Sequence, residues 1–289
     1  MQSKNPIFTR AEGFNGRAGT NGSTSYPGYG QQHAGYGNDP SQWGTGAPGQ
    51  TTTIDQGRMT IDSVVQKTGI TLGVVVLAAA ITWVMTPAVT NQTTLAPLYS
   101  LALVGALGGF VLSMVTSFKK VVSPALVLAY AALEGIFVGA FSKALEAMFA
   151  SPDSGRGGLV IGAVVGTMAA VAGTLAAYKF FNIKVGAKFR MWVIGAMFGF
   201  VAVSLLDMVL GFFGSSFGFN GFGAMGFVSS LIGIGLGVLM LILDFDFVER
   251  GIAAGLPERE SWRAAFGLTV TIVWIYIELL RLLAILRGD

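Results

Sequence analysis

From about residue 57 onward, long apolar runs separated by short turn-forming stretches dominate this 289-residue chain. Seven runs, at 68–86, 95–117, 124–149, 157–180, 190–213, 223–247 and 264–286, each approach the roughly 20 residues with which an α-helix crosses about 30 Å of hydrocarbon. Backbone N–H and C=O groups in lipid must be paired within their own segment, so length plus apolarity predicts helices. Just ahead of the first run, Ile61, Val64 and Val65 fall at helical spacing beside Asp62 and Lys67, which predicts a helix that starts at the interface and then enters the bilayer. The separators carry turn chemistry: Pro87 with Asn91, Ser123-Pro124, Ser151-Pro152-Asp153, and a Gly-rich stretch over 214–223. Glycines four apart (Gly105/Gly109, Gly135/Gly139, Gly162/Gly166, Gly195/Gly199) let helix backbones approach closely. The expected fold is an all-α membrane protein, a bundle of seven transmembrane helices. No internal repeat is evident, which leaves an inverted-repeat transporter without support.

Residues 1–56 differ in kind, being rich in Gly, Ser, Thr, Gln, Asn and Pro and punctuated by Tyr26, Tyr29, Tyr36 and Trp43. Such a segment buries too little apolar surface to offset its ordering entropy, so a disordered tail (1–56) is expected before a transmembrane domain (57–289). It lacks the charged start, apolar core and small-residue cleavage site of a secretory signal. Its Gly/Tyr bias is read as a solvated tether, with weak self-association or partner binding as the other reading.

Composition then narrows the function. Hydrophobic residues make up 53% of the chain and charged ones 11%, with a mean hydropathy of +0.65, whereas soluble domains carry about 25% charged residues. A soluble enzyme is excluded. There is no cysteine and one histidine, His33, so disulfides, thiolate metal sites and cysteine nucleophiles are absent, and a His-based metal site or Ser-His triad has little room. No cofactor is expected. The net charge of +3 is scattered over short loops, which suits membrane orientation and not nucleic-acid binding.

The basic residues set that orientation. Arg58 and Lys67 precede the first span, Lys119 and Lys120 follow the second, Lys179, Lys184, Lys188 and Arg190 follow the fourth, and Arg250, Arg259 and Arg263 follow the sixth. The alternate connections are nearly bare, with Lys143 and Arg156 in the third offset by Glu146 and Asp153. By the positive-inside rule, a cytoplasmic amino terminus and an outside carboxyl terminus in a cell membrane are expected.

The informative residues are acids within apolar runs: Glu134, Asp207, Asp244, Asp246 and Glu278, with Arg281 near the last. An ionised side chain at mid-membrane costs about 2.5–3.5 kcal/mol on insertion scales, so each should face the bundle interior, a polar partner or water. Glu134 and Asp207 are ion-path or structural candidates. Asp244 and Asp246 lie two residues apart, about 200° around a helix, so they cannot share a face. Glu278 either pairs with Arg281 one turn later or meets an acid of the sixth span, whose short connection packs the two spans side by side. Two close carboxylates in low dielectric cannot both ionise cheaply, and such a pair sharing a proton is a pH sensor.

Three stretches carry a family resemblance. Ala-Leu-Glu134-Gly135-Ile-Phe-Val-Gly139 resembles the Glu-Gly element on the third helix of the Bax-inhibitor-1-like (TMBIM) membrane proteins, here their bacterial branch. Asp244 to Glu249 resembles the acidic end of the sixth helix, and Ile-Tyr-Ile-Glu278-Leu-Leu-Arg281 the family's Leu-Tyr-Leu-Asp-x-x-Asn on the seventh. The resemblance covers about residues 60–287. It implies a seven-helix bundle with the last helix central, an acid pair on helices six and seven forming a pH-sensitive latch, and a calcium leak down its gradient. Carried over by position, the latch is Asp246, with Asp244 as the alternative register, and Glu278. Ca²⁺ and protons are then the expected partners besides the lipid bilayer, with Asp246 and Glu278 as the implied holders of Ca²⁺. The chain departs from the pattern in Glu for Asp, Arg281 for Asn, and an apparently longer connection between spans six and seven. The expected function is a pH-sensitive cation leak, not an enzyme. The alternative is a membrane-embedded regulator of a partner such as a quality-control membrane protease. An intramembrane aspartyl hydrolase is the weakest reading, because no Gly-rich substrate signature flanks the acids.

Overall fold

The computed structural model describes residues 57–89, 92–149, 158–181 and 183–288. The expected tail 1–56, Asn91 and the Ser151-Pro152-Asp153 turn lie outside the described residues. Seven helices follow in order: α1 (Ile61–Met85), α2 (Gln92–Phe118), α3 (Pro124–Phe149), α4 (Gly158–Phe180), α5 (Ala187–Phe212), α6 (Ala224–Ala253) and α7 (Glu260–Gly288). All seven are long and apolar enough to cross a membrane. Among the described residues there is no strand, only one isolated bridge between Arg58 and Pro257.

Local chemistry explains where the helices exceed the apolar runs. Thr60 caps α1 by accepting from the Ser63 N–H at 3.1 Å, while the Ser63 hydroxyl accepts from the Thr60 N–H, a reciprocal capping box that starts the helix ahead of its apolar stretch. α6 continues past Asp246, Glu249 and Arg250 to Ala253. Together with the early start of α7, this shortens the connection to 254–259. The apparently longer loop is therefore taken up as helix. Gly255, at φ +65, makes the turn.

Polar contacts gather the loops into two ends. At the basic end, the Met59 N–H donates to the Leu256 carbonyl at 2.8 Å and Lys67 pairs with Glu258 at 2.8 Å. There too, Arg263 donates to the Lys119 and Lys120 carbonyls. At the opposite end, two α3 residues terminate neighbouring helices. Lys143 Nζ donates to the carbonyls of Trp83 and Thr86 at the close of α1, and buried Glu146 accepts from the first-turn N–H groups of Leu159 and Val160 in α4. Each charge answers the partial charge of a helix end and its unpaired backbone groups.

α7 sits at the centre, packed against α1, α3, α4 and α6, whereas α5 packs chiefly on α6. Close approach comes from small residues: a Cβ at Gly135 or Gly139 would fall 2.5 Å from the α1 carbonyl of Val75 or Ala79. Gly162 and Gly166 receive Leu283 and Leu279 of α7, but Gly195 and Gly199 face open space and build no helix contact. The α6–α7 seam uses a further pair four apart, Gly233 and Gly237, where a Cβ would come within 2.8 Å of Glu278 and 2.6 Å of Ile275.

Candidate functional site

That glycine-lined seam carries two acids. Asp244, half-buried on α6, faces α7 and accepts a 2.6 Å hydrogen bond from the Thr271 hydroxyl. Among the described residues no Lys or Arg lies within ion-pair distance of it. Glu278 is buried on α7 against Gly233. Its Oε2 has no hydrogen-bond partner, and neither has the buried Ser230 hydroxyl on α6. Thr271 and Glu278 are seven residues apart on α7, and Asp244 and Gly233 eleven apart on α6, so at 1.5 Å per residue the two acids stand about 10–16 Å apart along the seam, too far to share one proton.

Arg281 does form the i,i+3 ion pair with Glu278 that the spacing suggests, at the long end of ion-pair distance. Its nearest guanidinium nitrogen is 3.6 Å from Glu278 Oε2, with no hydrogen bond between them. The guanidinium donates instead to the Phe219 carbonyl, the Gly226 carbonyl at 3.1 Å and the Ser229 hydroxyl. It is thus a clamp between α7, the start of α6 and the loop before it.

The Asp246–Glu278 pair expected from the family pattern does not form. Asp246 faces α5, where Arg190 meets Oδ2 at 2.8 Å and Arg250, one turn on, meets Oδ1 at 2.9 Å. Arg250 also donates to the Val185 carbonyl. The rotation of about 200° between residues two apart leaves only one of the α6 aspartates toward α7, and it is Asp244. Asp246 and Glu278 therefore do not meet as a joint carboxylate site in this conformation. Among the described residues no group of three or more His, Cys, Asp or Glu is placed to hold a metal ion.

The remaining candidates are satisfied locally. Glu134 sits against Tyr130, one turn earlier on α3, and faces Gly109 of α2, away from the seam. Asp207 is buried: its carboxylate accepts from the N–H groups of Phe217, Gly218 and Asn220 at 2.8–3.1 Å, folding the Gly-rich α5–α6 loop back over the helix end. Phe219 then stacks on Phe200, which meets Trp274 of α7 edge-on. Asp207 from one side and Arg281 from the other hold this loop down.

Sequence reasoning missed Thr271, Ser229, Ser230 and the partner role of Arg190. Hydroxyls are frequent in these spans, and nothing in the spacing separates the few that face an acid. Arg190 reads as a loop charge until α5 and α6 are packed together.

A family model described as Bax inhibitor 1 like matches residues 5–288. No curated protein matches the chain.

Proposed function

We propose, on the premise that the chain belongs to the Bax inhibitor 1 like family, that this multi-pass membrane protein is a pH-sensitive leak for cations, Ca²⁺ foremost, along the α6–α7 seam. One observation carries the reading. Of the intramembrane acids, Asp207 and Asp246 are fully engaged by donors and Glu134 faces α2, whereas on the α6–α7 seam Asp244 has a single hydroxyl and no cation, and Glu278 has an oxygen without a hydrogen bond. Buried acids left short of partners are functional candidates by default. Carboxylate and hydroxyl oxygens on the seam suit a hard divalent cation in transit.

In this mechanism the two carboxyls take up protons separately, each at its own level. With Asp244 protonated and Glu278 ionised beside Arg281, the seam carries no net charge and the two helices stay closed on Gly233 and Gly237. Loss of a proton places charge in the seam, which favours a packing that admits water and cations. Only such differential stabilisation of two packings gates a leak. The basic loops face the cytoplasm in this reading, with the amino terminus inside and the carboxyl terminus outside a plasma membrane.

The purified chain in liposomes is expected to pass Ca²⁺ above the empty-liposome rate, with a rate that changes over a pH series. Asp244→Asn and Glu278→Gln are each expected to flatten that pH profile. Asp246→Asn should leave it intact, since its partners Arg190 and Arg250 are 43% and 53% exposed and rehydrate when freed. Absence of flux from the wild type, with a partner complex that depends on the tail, would turn the assignment to the regulator reading. Flux whose pH profile survives both seam substitutions would keep a leak and remove Asp244 and Glu278 from its gate.

A further inference from the structure

At the basic end, α1 and α4 stand apart and leave a groove of about 830 Å³ whose floor is α6. This volume falls within the range of about 300–1,000 Å³ typical of ligand sites. The walls are apolar, with Val65 from α1, Leu175 from α4, Phe245 from α6 and Leu268 from α7. The rim is charged, and its cations, Lys179, Lys184 and Arg250, outnumber its carboxylates, Asp246 and Glu249. Glu249 accepts from the Tyr178 hydroxyl at 2.6 Å, and Asp246 is held by Arg190 and Arg250. Lys179 and Lys184 are exposed and, among the described residues, pair with no carboxylate. The groove thus combines an apolar body with unmet positive charge at its mouth, at the level where the helices leave the hydrocarbon.

We propose that this groove binds one anionic glycerophospholipid, its phosphate on Lys179 and Lys184 and an acyl chain against Val65, Leu175 and Phe245. Charge complementarity selects the occupant. A zwitterionic lipid brings a cation that the lysines repel, and a free phosphate leaves the apolar walls wet. Basic pockets between spans, at the end where positive loops gather, hold anionic headgroups for the same reason. The site stands independently of the leak, because neither Asp244 nor Glu278 lines it.

The test is native mass spectrometry of the full chain in detergent, titrated with phosphatidylglycerol, phosphatidylcholine or inorganic phosphate. One phosphatidylglycerol is expected to be retained in preference to phosphatidylcholine, with phosphate neither bound nor competing. Lys179→Ala and Lys184→Ala should each weaken retention about fivefold. The pair Lys119→Ala and Lys120→Ala, an equal charge loss on another loop at the same end, should not. Leu175→Trp, which fills the wall and keeps both lysines, should lower retention as well. Equal losses from the two lysine pairs would reduce the effect to general surface charge and overturn the site. So would retention of phosphatidylcholine to the same extent, displacement by phosphate, or unaltered binding to Leu175→Trp.

Discussion

Alanine at both Gly135 and Gly139 is expected to cost the detergent-solubilised protein several kcal/mol of stability, about 1–3 at each site. The added Cβ atoms would each lie 2.5 Å from a backbone carbonyl of α1, Val75 at one site and Ala79 at the other. A backbone carbonyl in a regular helix cannot rotate away as a side-chain tip can, so α1 and α3 must separate along their contact. Overpacking of this kind costs about 1–3 kcal/mol per site, occasionally more. Gly195→Ala with Gly199→Ala supplies the control, since both positions meet open space. There alanine relieves a helix-interior glycine of about 0.8–1.0 kcal/mol. Thermal unfolding should show a lower midpoint for the first pair and an equal or higher one for the second. Equal midpoints would show that the α1–α3 contact is not set by these glycines.

Arg281→Ala is the second large effect. The guanidinium is 7% exposed and joins α7 to the Phe219 and Gly226 carbonyls and the Ser229 hydroxyl. Its removal leaves the Ser229 hydroxyl as the remaining side-chain donor to those carbonyls and Glu278 without its nearby cation. Breaking one side of a buried charged arrangement costs about 3–5 kcal/mol. Arg281→Lys should rescue little, because all three acceptors are met by Nη2, which lies farther along the side chain than a lysine ammonium reaches. Hydrogen exchange gives a local reading: amides of 217–220 should exchange faster in Arg281→Ala, while those of α1 and α3 stay protected. Unchanged exchange over 217–220 would mean that Asp207 alone secures the loop.

Much of the architecture was legible in the chain because lipid imposes it. A run of about 20 apolar residues has few structural options, and all seven expected spans are helices within a few residues of their reading. The ends were less legible. α6 and α7 continue through Glu249, Arg250 and Glu260, where polarity suggests a loop, because helix propensity and paired charges carry them past the apolar limit. The acids were visible as residues, but their roles were not. Asp246 matched the family position best, yet its rotation on α6 turns it to Arg190, and Asp207, open between an ion-path and a structural role, is folded under its own loop.

Composition and run length by themselves determined the environment, the number of helices and the set of acids that needed partners, because the cost of charge and of unpaired backbone in hydrocarbon is the same wherever helices pack. Which acids found partners was decided only in three dimensions. Partner choice depends on rotation about each helix axis and on which glycine stripes bring two backbones together, as at Gly233 and Gly237. A one-dimensional pattern fixes neither. The contrast between a saturated Asp246 and an undersupplied Asp244, two residues apart, is therefore a property of the packed bundle.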